Sequence, residues 1–107
     1  MTRNEARERV LEFLRTMESA VGFELALIHS RTLERGFGWV FFYDSKRHLE
    51  TGDFRDGLAG NAPIVVTKKD GKIHETGTAY PIEHYLRQFE RYAVSWRRMV
   101  SRRWSLR

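Results

Sequence analysis

The chain has 107 residues, of which 41% are hydrophobic and 31% charged, enough for one modest core and no second one. An aromatic share of 13% with well-mixed charge argues against wholesale disorder, and the absence of cysteine excludes a disulfide framework, thiolate chemistry and cysteine zinc sites. The net charge of +5 is local: residues 1–93 balance fourteen Lys and Arg against fourteen Asp and Glu. The excess sits in the last fourteen residues, which carry five arginines and no acid.

Met1 to Glu12 are dense in charge, so no secretory apolar stretch is expected there. No window reaches the roughly 20 apolar residues of a membrane span. The reading is a single cytoplasmic domain over 1–93, followed by an Arg- and Trp-rich extension over 94–107.

In chain order, Thr2-Arg3-Asn4-Glu5 reads as a capping box. Ala6, Val10, Phe13, Leu14, Met17 and Val21 then recur at helical spacing, predicting an amphipathic helix over about 3–20 that stops near Gly22. From Phe23 the period changes, and Phe23 to Arg31 reads as a strand. Thr32 to Gly36 reads as a strand end or turn. Phe37 to Tyr43 is the most apolar stretch and reads as one central strand. Trp39, Phe41 and Tyr43 share one of its faces and Val40 and Phe42 the other, both of them covered.

Residues 44–61 form a long connection, with one helical turn expected around Phe54 to Leu58. Ile64 to Thr67 reads as a strand after Pro63. Asp70-Gly71 is the strongest hairpin signal and suggests a type I′ turn, with the return strand over Lys72 to Thr76. Pro81 suits a first helical position, and Ile82, Tyr85, Leu86, Phe89, Ala93 and Trp96 follow at helical spacing. That helix runs at least to Tyr92 and continues to about residue 102 if the stripe is followed to its end. The sum is an α+β domain: an antiparallel sheet of about four strands with an N-terminal and a C-terminal helix packed on it.

Several segments together carry a resemblance: Gly38-Trp39-Val40-Phe41-Phe42-Tyr43-Asp44-Ser45, Gly52-Asp53, Leu58-Ala59-Gly60-Asn61-Ala62-Pro63-Ile64-Val65-Val66, Asp70-Gly71, Gly77-Thr78 and Pro81-Ile82-Glu83. In this order and spacing they resemble the YrhB-like domain, called immunity protein 35 in classifications of bacterial polymorphic toxin systems. The resemblance runs from the first helix to about Tyr92. It implies a small cytoplasmic, non-enzymatic binder that acts as antidote to a toxin encoded beside it. The chain departs from the acidic surface common among immunity proteins against nucleases: its core is neutral and its tail basic.

Site by site, the sequence carries no GxSxG, HExxH, P-loop or GxGxxG motif, and no cofactor is expected. His29, His48, His74 and His84 are scattered over separate elements without metal-ligand spacing, so no metal is expected. Ser45, His48 and Asp44 or Asp53 contain the residue types of a triad, but Asp44-Ser45 reads as a strand-ending turn or helix cap. Glu50, Asp53 and Asp56 form either a solvated loop or an acidic patch that meets a partner's cations. Gly60-Asn61-Ala62-Pro63 reads as a backbone turn ahead of a strand.

Trp39, Phe41 and Tyr43 are core by default. They become an interface platform if the helices cover only the other sheet face. The residues singled out as partner contacts are Trp39, Tyr43, Asp44, Asp53, Asp56 and Asn61. In the tail, Trp96, Arg97, Arg98, Arg102, Arg103 and Trp104 could clasp a partner helix, an anionic membrane surface or RNA, or simply extend the last helix. The leading function is steric blockade of a cognate toxin. The alternatives are a chaperone-like binder with many clients, nucleic-acid association through the tail, and homodimerisation.

Overall fold

The structure, a computed structural model, describes residues 1–53 and 62–91. Thr2 starts the first helix: its hydroxyl oxygen accepts the Glu5 N–H at 3.2 Å and donates its own proton to the Glu5 carboxylate. Helix α1 (Arg3–Val21) buries Ala6, Val10 and Leu14, one every four residues, and ends at Gly22, whose N–H bonds the Glu18 carbonyl at 2.9 Å.

The expected strand over 23–31 is shorter. Strand β1 spans Leu25–Leu27, and the chain then coils into a 3-10 turn, η1 (His29–Arg31). A strand lasts only as long as its partner supplies backbone bonds, and the partner here is three residues long. The expected turn at 32–36 contains strand β2 (Leu33–Arg35).

The single central strand expected over 37–43 divides at Phe42. Strand β3 (Gly38–Phe41) pairs with β2, whereas β4 (Tyr43–Ser45) pairs with β1. Phe42 is the hinge: its carbonyl leaves the larger sheet and accepts the Ile28 N–H at 2.8 Å. Within the expected long connection, helix α2 (Lys46–Thr51) forms. The helical turn expected at Phe54 to Leu58 lies outside the described residues.

Strands β5 (Ile64–Thr67) and β6 (Ile73–Glu75) form the expected hairpin, but not with a type I′ turn. That turn needs two positive φ angles, and only Gly71 has one, at 67°. The connection is instead a wider loop in which the Gly71 N–H bonds the Thr67 carbonyl at 2.8 Å. The Asp70 carboxylate closes it, accepting from the Thr67 hydroxyl and from the Lys72 N–H. Asp70 is better placed as that acceptor than as a left-handed turn residue. Helix α3, residues 82–91 within the described chain, follows Pro81, whose carbonyl accepts the His84 N–H at 3.0 Å.

The architecture is α+β. A four-stranded antiparallel sheet runs in the order β2-β3-β5-β6, and a two-stranded antiparallel sheet pairs β1 with β4. Trp39, Phe41, Ile64 and Val66 face α1 and make the larger core with Ala6, Val10 and Leu14. Val40 and Val65 point the other way and meet Leu86 of α3 and Phe37. Arg35 on the β2 edge ties that strand to α3 through Glu83 at 3.4 Å and Glu90 at 3.8 Å.

Candidate partner-binding surface

Both faces of the larger sheet are covered by helices, so the sheet offers no bare aromatic platform. Trp39 and Tyr43, read from the sequence as partner contacts, are core residues, with 3% and 6% of their surface exposed. The correction follows from α1, which packs on the face that they share. Trp39 donates its indole N–H to Glu34 at 2.9 Å, and burial pushes the Tyr43 hydroxyl above its ordinary pKa, with Glu75 adding to the effect.

Asp44 and Asp53 are brought together around His48. Asp44 sits mid-strand in β4, opposite Ala26. Ser45 follows in extended backbone and caps α2, its Oγ accepting the His48 N–H at 3.0 Å. Beyond the helix the chain doubles back, so that the Asp53 carbonyl meets His48 Nδ1 at 2.7 Å. On the far side of the ring, Nε2 faces the Asp44 carboxylate at 3.6 Å. With Nδ1 donating to a carbonyl, Nε2 forms an ion pair with Asp44 only when the ring carries both protons.

This geometry decides how Ser45 and His48 are related. A nucleophile–base pair needs a ring nitrogen at the hydroxyl. Here the two ring nitrogens face Asp53 and Asp44, and Ser45, 3% exposed, gives its oxygen to the helix amide. The cap reading of Asp44-Ser45 is the one that the structure bears out.

Of the expected acidic patch, Glu50 is engaged by Lys46 at 4.0 Å, and Lys46 also reaches Glu24 at 3.2 Å. The Glu24 carboxylate raises the Lys46 pKa, with Glu50 contributing less. Asp56 and Asn61 lie outside the described residues, as do the tail residues Trp96, Arg97, Arg98, Arg102, Arg103 and Trp104. Among the described residues no helix is long and apolar enough to cross a membrane, and no three His, Asp or Glu side chains are grouped to hold a metal ion.

Sequence reasoning missed a cleft of about 310 Å³ beside the start of β4. Arg31, Phe42, Tyr43, Thr78, Tyr80 and Ile82 line it. The Arg31 guanidinium lies 4.2 Å from the centre of the Phe42 ring. Tyr80, 60% exposed, stacks on His84 with ring centres 4.4 Å apart, and its N–H donates to the Tyr85 hydroxyl at 3.3 Å. These residues come from separate elements, and no spacing in the sequence connects Arg31 to Tyr80. The one legible hint was the alternation that sends Phe42 away from Phe41 and Tyr43.

The family model described as Immunity protein 35 matches residues 4–88, which include the Asp44–His48–Asp53 ledge and the cleft. The chain belongs to the immunity protein 35 family. One curated relative is Uncharacterized protein YrhB of Escherichia coli (strain K12), 49% identical over 53 residues. That alignment covers 50% of this chain and 56% of the relative, so the two are matched over about half their lengths. No solved structure matches this immunity protein 35 family member.

Proposed function

We propose that the chain is the antidote of a toxin–immunity pair: a cytoplasmic, non-catalytic protein that binds a cognate toxin domain and covers its active site. Membership of the immunity protein 35 family over residues 4–88 is the observation that carries this reading. Because helices occupy both sheet faces, the blocking surface is the β4–α2 end and the segment after it, rather than the sheet face. A stable interface buries ~1,600 Å² in total, about 800 Å² per partner, which a domain of this size can supply.

At that end the Asp44 carboxylate faces His48, Asp53 turns its backbone carbonyl to the same ring, and the sequence adds Asp56 shortly after. Such an acidic ledge suits Lys or Arg residues around a toxin's active site, where charge complementarity speeds encounter and fixes register. The domain organisation proposed with it is one binding unit over 1–93 and a basic extension over 94–107.

Co-expression with the toxin domain encoded beside it should restore host growth, and the purified pair should form a one-to-one complex. Absence of both rescue and complex would reject the antidote reading. The double change Asp53→Lys with Asp56→Lys should weaken toxin binding about tenfold or more without lowering the melting temperature. The Asp53 contact to His48 uses its backbone carbonyl, which the substitution keeps. Unchanged affinity would remove this segment from the interface.

A further inference from the structure

We propose that the cleft beside β4 receives an acidic side chain of the bound protein, its carboxylate on Arg31 and an apolar neighbour in the same segment on Phe42 and Tyr80. That the occupant is a protein rests on the antidote reading above.

Arg31 stands in η1 with its guanidinium stacked 4.2 Å from the Phe42 ring centre. Stacking orients the planar group and leaves its edge donors for a ligand, an arrangement that a carboxylate can meet with two parallel bonds. Among the described residues no carboxylate pairs with Arg31. Several other cations of the fold are engaged: Arg35 by Glu83 and Glu90, Lys46 by Glu24, Lys68 by Glu34, and Arg9 by the Gly71 carbonyl. Arg31 lines a cleft whose walls carry Phe42, Tyr43 and Tyr80.

The walls narrow the ligand class. One guanidinium neutralises one negative charge, so a single carboxylate is balanced where a doubly charged phosphate would not be. Phe42, Tyr43, Ile82 and the exposed Tyr80 supply apolar surface that free acetate or phosphate would leave unused. About 310 Å³ is room enough for one or two side chains. Exposed Tyr paired with Arg is the composition typical of interface anchors.

Position supports the same occupant. Phe42 and Tyr43 line the cleft, and Asp44 follows on the same strand, so ~7 Å of extended chain separates Phe42 from the acidic ledge. One partner surface can therefore meet both, offering an acid to Arg31 and a base to the Asp44 carboxylate. Opposite charges side by side admit one register and penalise its shift.

The test uses the full chain, Arg31→Glu and Arg31→Lys, with two probes. The first is the toxin domain encoded beside the protein, titrated by calorimetry. The second is the blocked dipeptide acetyl-Phe-Glu-amide, followed by amide NMR shifts, with acetyl-Phe-Gln-amide and inorganic phosphate alongside. Arg31→Glu should weaken toxin binding about tenfold or more at an unchanged melting temperature, and Arg31→Lys by less, since it keeps the charge and loses the fork. The Glu dipeptide should shift Tyr80 and Ile82 in the wild-type chain and not in Arg31→Glu, while the Gln dipeptide and phosphate leave them in place. Toxin binding that is equal in wild type and Arg31→Glu overturns the cleft assignment and leaves the antidote reading standing. If the wild-type chain binds no toxin, the antidote reading falls and the dipeptide decides. Shifts abolished by Arg31→Glu then uphold carboxylate recognition, and absent shifts, or phosphate binding in their place, overturn it.

Discussion

The two faces of the four-stranded sheet are built differently. On the α1 side, Ala6, Val10 and Leu14 pack on Trp39, Phe41, Ile64 and Val66 in one large buried cluster. On the α3 side the buried set among the described residues is Phe37, Val40, Val65 and Leu86, ringed by the half-buried Leu33, Phe42, Ile82 and Phe89. Aromatic contacts there reach the surface: Phe37 stacks on Phe89 at 5.5 Å, and His74 meets the edge of Phe89 at 5.2 Å. The lesson is a division of labour within one small domain. Among the described residues the α1 face holds the larger buried cluster, and the α3 face carries aromatic and charged groups that border the Arg31 cleft.

The largest disruption should come from the strand that both faces share. A Cβ at Gly38 would collide with the Val66 carbonyl oxygen and lie 2.9 Å from the Thr67 Cα. Backbone cannot move aside there without opening the β3–β5 ladder, so Gly38→Ala should cost about 5 kcal/mol or leave the chain unfolded. A urea titration that finds less than about 1 kcal/mol would show that the ladder yields more easily than its register suggests.

Truncation on each side then measures the asymmetry. Leu14→Ala opens a hole within the larger cluster and should cost about 3–4 kcal/mol, at the upper part of the usual range. Leu86→Ala should cost about 2 kcal/mol, because the half-buried residues around it can settle into the space. Equal costs in matched urea titrations would erase the distinction between the faces.

The smallest effect expected is acid weakening that begins on the α1 side. Trp39 holds the Glu34 carboxyl below its ordinary value by hydrogen bonding, with Lys68 adding to it. Partial burial acts to raise Asp70, but the Thr67 hydroxyl and the Lys72 amide and charge outweigh it, and its net shift is downward. A depressed folded-state pKa means stability that is complete above the ordinary values of 4.5 and 3.8 and lost as pH falls through the folded values. Glu34→Gln with Asp70→Asn should therefore lower the melting temperature modestly at pH 7, the gap closing below about pH 4. A gap that persists unchanged at low pH would show that these carboxylates contribute no charge-dependent stability.

Much of the fold was legible in the sequence because its strongest signals are local. Thr2 and Gly22 bracket α1 by their own backbone chemistry. Alternation along 39–43 separates the two cores correctly, since successive strand residues must face opposite ways. What local patterns misjudged were lengths and breaks: the strand after Phe23 is cut to three residues, the stretch from Phe37 divides at Phe42, and 46–51 is helical within the expected connection. Each depends on a partner distant in the chain, because β4 exists to pair with β1 and draws the backbone out of the larger sheet. The signal for α2 was present in Ser45, read as a cap, yet the helix that it caps holds no fully buried residue and so has no apolar stripe.

The candidate surface shows the same limit. Asp44 and Asp53 could be named from the sequence as acids near one loop, but their meeting at His48 needs the return of the chain after α2. Trp39 and Tyr43 could equally be core or interface until α1 was seen to cover them.

By itself, then, the sequence determined the α+β class, the first helix and its caps, the facing of the central residues and the resemblance that family membership bears out, all of which depend on neighbours along the chain. Only the tertiary structure decided that both sheet faces are closed, that Ser45 serves a helix, and that Arg31, Phe42 and Tyr80 share a cleft. The physical reason is that burial and charge pairing belong to groups brought together in space, and here those groups come from segments far apart in the chain.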